Sequence, residues 1–252
     1  LKIRRKLPKP SRSKPPLYVI GFSARPIQAE FQTWFDLEYG GPLSCKSSSA
    51  GDDPAGSIMM MTHGLWTSWV QWSVPSAQAD AWQHRLEWGH SSCSAVGAAS
   101  STRSNTMDVV LHTARVARGL TLLTGGTAYD VATATYLNPS DWTDRPLTRF
   151  NANDHVTVVQ SDDSEHRREW FYTRGLSKFG IDEVEVFQPI GLPSPPILEK
   201  LSGIAEELIR NGHSPPVGSS VTIQHLALSV RIVRHRTHPS MDMPLILREV
   251  SW

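Results

Sequence analysis

Apolar positions along the chain switch between a period of two and a period near 3.6, the pattern of strands interleaved with helices. Residues 17–22 (LYVIGF) form a continuous apolar run ahead of Pro26 and predict a buried strand. Ile27, Phe31, Trp34 and Phe35 recur at helical spacing, and the Gly-, Ser- and Asp-rich stretch at 40–56 predicts a long loop. Residues 58–61 and the alternating Val70, Trp72 and Val74 predict two further strands. Pro75 and Ser76 then open a helix with Ala79, Trp82 and Leu86 on one face and Gly89 as its stop. A Ser-rich loop at 90–105 precedes a helix capped by Thr106, with Asp108 in its first turn, Val110, Ala114 and Ala117 inward, and Gly119 at its end. Residues 120–124, 127–131 and 133–137, rich in Thr and broken by Gly125 and Gly126, predict a meander of strands.

The run Asn138-Pro139-Ser140-Asp141-Trp142 is turn chemistry, and it places a boundary near residue 146. Beyond it, 155–160 and 170–173 predict a strand pair around a charged loop. Val184 and Val186, alternating with Glu183 and Glu185, predict a strand with one wet face. The Pro-rich QPIGLPSPP leads into a helix with Ile197, Leu201, Ile204, Ala205 and Leu208 inward and Gly212 as its stop. Residues 221–233 read as one long bent strand, and 245–250 close the sheet. The fold class expected is α+β, mostly antiparallel sheet with packed helices. Thr62-His63-Gly64-Leu65 and Thr173-Arg174-Gly175-Leu176 each follow an apolar strand and precede a Val-x-apolar-x-x-Pro run. Two related strand-turn-strand-helix halves follow, at 17–146 and 147–252, either separate or as one continuous domain.

Composition adds exclusions. The 252 residues can bury a large core without disulfide support, and no apolar stretch reaches the roughly 18 residues of a membrane-spanning helix. A chain that opens on Leu1 is expected to be a fragment or a processed product. The net charge of +1 hides an asymmetry: seven of the 25 Lys and Arg fall in residues 1–14, whereas the first acidic residue is Glu30. Residues 1–16 therefore read as a flexible basic arm, with Arg4, Arg5 and Lys6 as candidate contacts to a nucleic acid, an anionic membrane surface or an acidic protein patch. Cys45 and Cys93 are the only cysteines, which fits a reducing cytoplasm and provides no metal framework.

Candidate chemistry is thin. His90-x-x-Cys93 and His235-x-x-His238 lack the second half of a closed zinc site, so no metal and no cofactor are expected. No nucleophile elbow or phosphate-binding glycine loop is present, which leaves His63, His90 and Cys93 as the weak catalytic candidates for a hydrolase. Asp130 interrupts an apolar strand and is expected to pair with Arg115 or Arg118. Trp66, Trp69 and Trp72 cannot all face one side of a strand, so at least one ring is expected outside the core, as a candidate binding residue.

The segments TRGLSKFGIDEVEVF and LTGGTAYDVATATYL, within residues 107–187, resemble bacterial α+β domain families of unknown function. The resemblance implies a cytoplasmic bacterial protein, in some cases encoded near toxin, immunity or defence genes, and carries no catalytic residues onto this chain. The expected function is a non-enzymatic interaction or adaptor module with a protein partner. The alternatives are a hydrolase with a His-containing, metal-dependent site and a nucleic-acid binder acting through the basic arm and Arg231, Arg234, His235 and Arg236.

Overall fold

The computed structural model describes residues 17–48, 58–72, 92–99, 106–239 and 244–252, which form an α+β fold of two sheets and four helices. In the first sheet the strand order is β2-β3-β4-β5-β1-β6-β7. Its members are β1 (Tyr18–Phe22), β2 (Ser44–Ser48), β3 (Ile58–His63), β4 (Trp66–Gln71), β5 (Ser92–Ala98), β6 (Thr127–Asp130) and β7 (Thr135–Leu137), all paired antiparallel. The second sheet runs β11-β12-β13-β10-β9-β8. It comprises β8 (Thr157–Asp163), β9 (Arg168–Arg174), β10 (Glu183–Pro189), β11 (Ser220–Ile223), β12 (Leu228–His238) and β13 (Leu245–Ser251), with only β10 and β13 parallel.

Helix α1 (Gln28–Tyr39) buries Phe31 and Phe35, and helix α2 (Thr106–Thr124) is buried around nearly its whole circumference from Val109 to Thr121. The reason is its position between two cores. Leu111, Ala114, Val116, Ala117 and Leu120 pack with Tyr18, Ile20, Phe22 and Val96 of the first sheet, whereas Val110 belongs to the core of the second. That second core is closed by helix α4 (Pro195–Asn211), whose Leu201, Ile204, Ala205 and Leu208 meet Phe171, Val184, Val186, Val230 and Ile232. Gly212, at φ +71°, ends α4 through its N–H to the Leu208 carbonyl, as its sequence position predicts. Helix α3 (Pro139–Thr143) is a single turn fixed by a capping box between Asn138 and Asp141.

Several expectations fail for identifiable reasons. Residues 120–124 continue α2 rather than forming a strand: the Thr121 and Thr124 hydroxyls donate to the Ala117 and Leu120 carbonyls one turn back. Gly119 is interior to that helix and makes room for α1, since a Cβ there would stand 2.4 Å from the Trp34 ring. The predicted loops at 40–56 and 90–105 contain β2 and β5, whose small Ser, Cys, Ala and Gly side chains give no hydrophobic signal. Residues 221–233 are a hairpin rather than one strand, broken at 224–226, where Ala227 takes φ +49°. Gly64 and Gly175 occupy different settings. Gly64, at φ +59°, lies in the tight β3–β4 hairpin, whereas Gly175, at φ +117°, opens a 3-10 turn (Leu176–Phe179) with the His155 carbonyl packed against its Cα. The helix expected at 75–89 lies outside the described residues.

Candidate functional site

The three weak catalytic candidates are not gathered. His63 projects from the end of β3 onto the α2 side of the first sheet, with its ring 5.3 Å from Phe35. Cys93 faces the other side of the sheet beside Val19 and Tyr129, and His90 lies outside the described residues, as do Arg4, Arg5 and Lys6. Strand parity separates the tryptophans as well. Trp66 and Trp72 share the α2 face, Trp66 half-buried beside His63 and Trp72 buried edge-on to Phe22. Trp69 lies half-buried on the opposite face, its ring over the bare Cα of Gly97 on β5. Among the described residues no group of three or more His, Cys, Asp or Glu side chains is arranged to hold a metal ion. None of their helices is long and apolar enough to cross a membrane.

Between the two sheets lies a buried polar cluster. Asp130 does form an ion pair, but its partner is Lys178 of the 3-10 turn after β9, not an arginine of α2. Lys178 also donates to the His155 carbonyl at 2.9 Å and sits 5.4 Å from the Tyr18 ring centroid; the other Asp130 oxygen accepts from the Ala132 and Thr133 N–H groups. Arg115 is taken by the Leu147 and Thr148 carbonyls, and Arg118 by the Trp142 carbonyl, Glu38 and Tyr39. His155 is fully buried, stacked on Phe150 at 5.2 Å, and its burial, with Lys178 and Arg145 near, holds its pKa well below the usual imidazole range. Glu183 is buried under the same turn, where it accepts from the Gly175, Leu176 and Ser177 N–H groups and the Thr173 hydroxyl. Burial raises its pKa in spite of those four donors. The Asp130–Lys178 pair ties one sheet to the other, whereas Glu183 also lines a pocket with Ser177, Gly180, Ile181, Asp182 and Leu245.

The exposed chemistry is on the second sheet, on the face turned away from α4. Strand parity brings Arg168, Trp170 and Tyr172 of β9 beside Glu185 and Phe187 of β10. The rings form a ladder: Trp170 on Tyr172 at 4.1 Å and 22°, Phe187 nearly parallel to Trp170 at 6.4 Å, and the Arg168 guanidinium 3.7 Å above Phe187. Arg236 of β12 reaches over β13 to lie 5.1 Å from Trp170, because a register shift between Ile232 and Arg234 turns the second half of β12 over. Glu185, expected to be wet, is fully buried beneath them. It accepts from the Trp170 indole N–H at 2.7 Å and from Arg236 Nε at 2.7 Å, and the same pairing raises the Arg236 pKa. Asp163 binds Arg168 and His166, which hold its carboxyl down to about 2. Trp170, Tyr172 and Phe187 remain half-buried, so the face is ordered yet retains aromatic surface in contact with water.

Sequence reasoning recognised β9 and β10 but not the half of β12 that carries Arg236, and it missed the face, because this joins three strands across 68 residues and depends on a bulge. Phe187, two positions beyond Glu185 on the side of β10 expected to be wet, and its cross-strand partner Trp170 were the available signal. Comparison with known proteins gives no match among protein-family models, curated proteins or solved structures.

Proposed function

We propose that this chain is a cytoplasmic protein-interaction module that holds its partner on the aromatic-arginine face of the second sheet. The observation that carries the reading is the Arg168–Phe187–Trp170–Tyr172 ladder over a buried Glu185. Trp, Tyr and Arg are the side chains that concentrate binding energy at protein interfaces, and here their rotamers are already fixed, which lowers the entropy lost on binding. The face favours a protein over a nucleic acid. Arg168, Arg234 and Arg236 are each paired with a carboxylate, Asp163, Glu249 and Glu185, which leaves little uncompensated charge for phosphate. The ring faces are spent on one another, whereas single-strand binders present them to bases. The hydrolase reading has lost its grouping, since His63 and Cys93 face opposite sides of a sheet.

The test is a photo-crosslinking residue at position 161, the β8 neighbour of Trp170 on this face. In extract of the source cells the expected result is a discrete, nuclease-resistant protein adduct that disappears with Trp170→Ala while the circular dichroism spectrum is unchanged. An adduct to nucleic acid, or one indifferent to Trp170→Ala, overturns the proposal.

A further inference from the structure

A second region stands apart from that face, on the α2 side of the first sheet. His112 of α2 is fully buried, and its Nε2 lies 3.0 Å from the Met61 carbonyl; His63 Nε2 lies 2.6 Å from the Gly40 carbonyl. A carbonyl only accepts, so in both rings Nε2 carries the proton, and in the neutral rings Nδ1 carries the lone pair. Both Nδ1 atoms are shut off from solvent and neither has a hydrogen-bond partner among the described residues. The two rings are 6.2 Å apart between centroids and within 29° of parallel, with Phe35 edge-on to both and Trp66 beside His63.

We propose that His63 and His112 bind a single soft monovalent ion, Cu(I), through their Nδ1 atoms. Three features support the class of ion. First, a ligating imidazole characteristically donates its other N–H to a carbonyl, which fixes the tautomer before the metal arrives, and both rings are held in this way. Second, metal–imidazole bonds are about 2 Å long, so an ion shared by two nitrogens separates them by about 4 Å, compatible with ring centroids at 6.2 Å. Third, the donors are few and neutral, two imidazole nitrogens of a kind that suits copper. Met61, one pleat before His63 on the same face, and its cross-strand neighbour Cys45 bring sulfur to this wall. No third His, Cys, Asp or Glu completes a group there, Glu38 is committed to Arg118, and Arg115 lies 4.6 Å from the Tyr39 ring. A divalent zinc ion, which requires four donors and compensating negative charge, is therefore disfavoured. The half-exposed His63 provides the way in. No short motif in the sequence marks this pair, because its two histidines are separated by 49 residues.

Anaerobic titration of Cu(I) against a colorimetric chelator tests the site, with Ag(I) as a redox-inert second probe. One equivalent of each ion is expected to bind, with nitrogen neighbours in the Cu(I) X-ray absorption spectrum. His63→Gln and His112→Gln are each expected to weaken binding at least about tenfold, while Zn(II) binds more weakly than Cu(I). If His112→Gln loses its circular dichroism spectrum, the test rests on His63→Gln at the rim of the sheet. The proposal is overturned by absence of stoichiometric binding, by binding that both substitutions leave intact, or by binding that Cys93→Ser alone abolishes.

Discussion

Lys178 and Asp130 meet where neither has access to water, their side chains 0% and 3% exposed, so each is tolerable only in the presence of the other. Lys178→Met strands a carboxylate in the interior and is expected to cost about 3–5 kcal/mol in urea denaturation, whereas adding Asp130→Asn to it should recover part of that loss. His112 gives a pH dependence of definite sign. Burial holds its pKa at about 4, while in the unfolded chain it titrates near 6.5. The folded ring refuses a proton that the unfolded chain accepts. Stability is therefore unaffected above about pH 6.5 and falls as pH drops from there to about 4, by about 3 kcal/mol in all. His155, lowered in the same direction, steepens the fall. Urea midpoints taken from pH 7 to pH 4.5 should decline along this limb and flatten in His112→Phe; a midpoint constant over that range would contradict the burial assigned to both rings.

At the scale of elements, what could be read from sequence and what could not divides along side-chain size. Strand β1 and helix α4 announce themselves through large apolar residues at regular spacing, whereas β5, the neighbour of β1, is written SCSAVGA and looks like a loop. Its small residues are required by its surroundings: Ser94 is buried on one face and Gly97 lies under the Trp69 ring on the other. Glu183 and Glu185 misled for the complementary reason, since alternation marks which residues share a face but not whether partners wait there. Gly119 is the sharpest case. Helix propensity alone favours alanine by about 1 kcal/mol, but the Trp34 and Phe31 rings occupy the place of the Cβ. Gly119→Ala is expected to destabilise by about 1–3 kcal/mol in thermal melts, and Trp34→Leu should relieve part of the loss, a non-additivity that marks direct contact.

In the molecule as a whole, α2 belongs to both cores, and Lys178 of the second sheet is anchored on Asp130 of the first. The two sheets should therefore unfold together. A chain of residues 17–146 alone is expected to lack a cooperative melting transition, whereas a sharp transition in that fragment would show the first core to be self-sufficient. The candidate sites were hidden at this scale too, because the aromatic ladder and the paired imidazoles are each assembled from strands or helices far apart in the chain. Strand β1 draws a further consequence from the same topology. It lies between β5 and β6, with Tyr18 opposite Val96 on one side and Asp130 on the other. At about 5–20 residues per second, synthesis from Tyr18 to Asp130 takes roughly 6–22 seconds. For that interval YVIGF, fully buried in the finished fold, lacks at least one of the two strands that will enclose it, so its burial must wait until the last of them has been made.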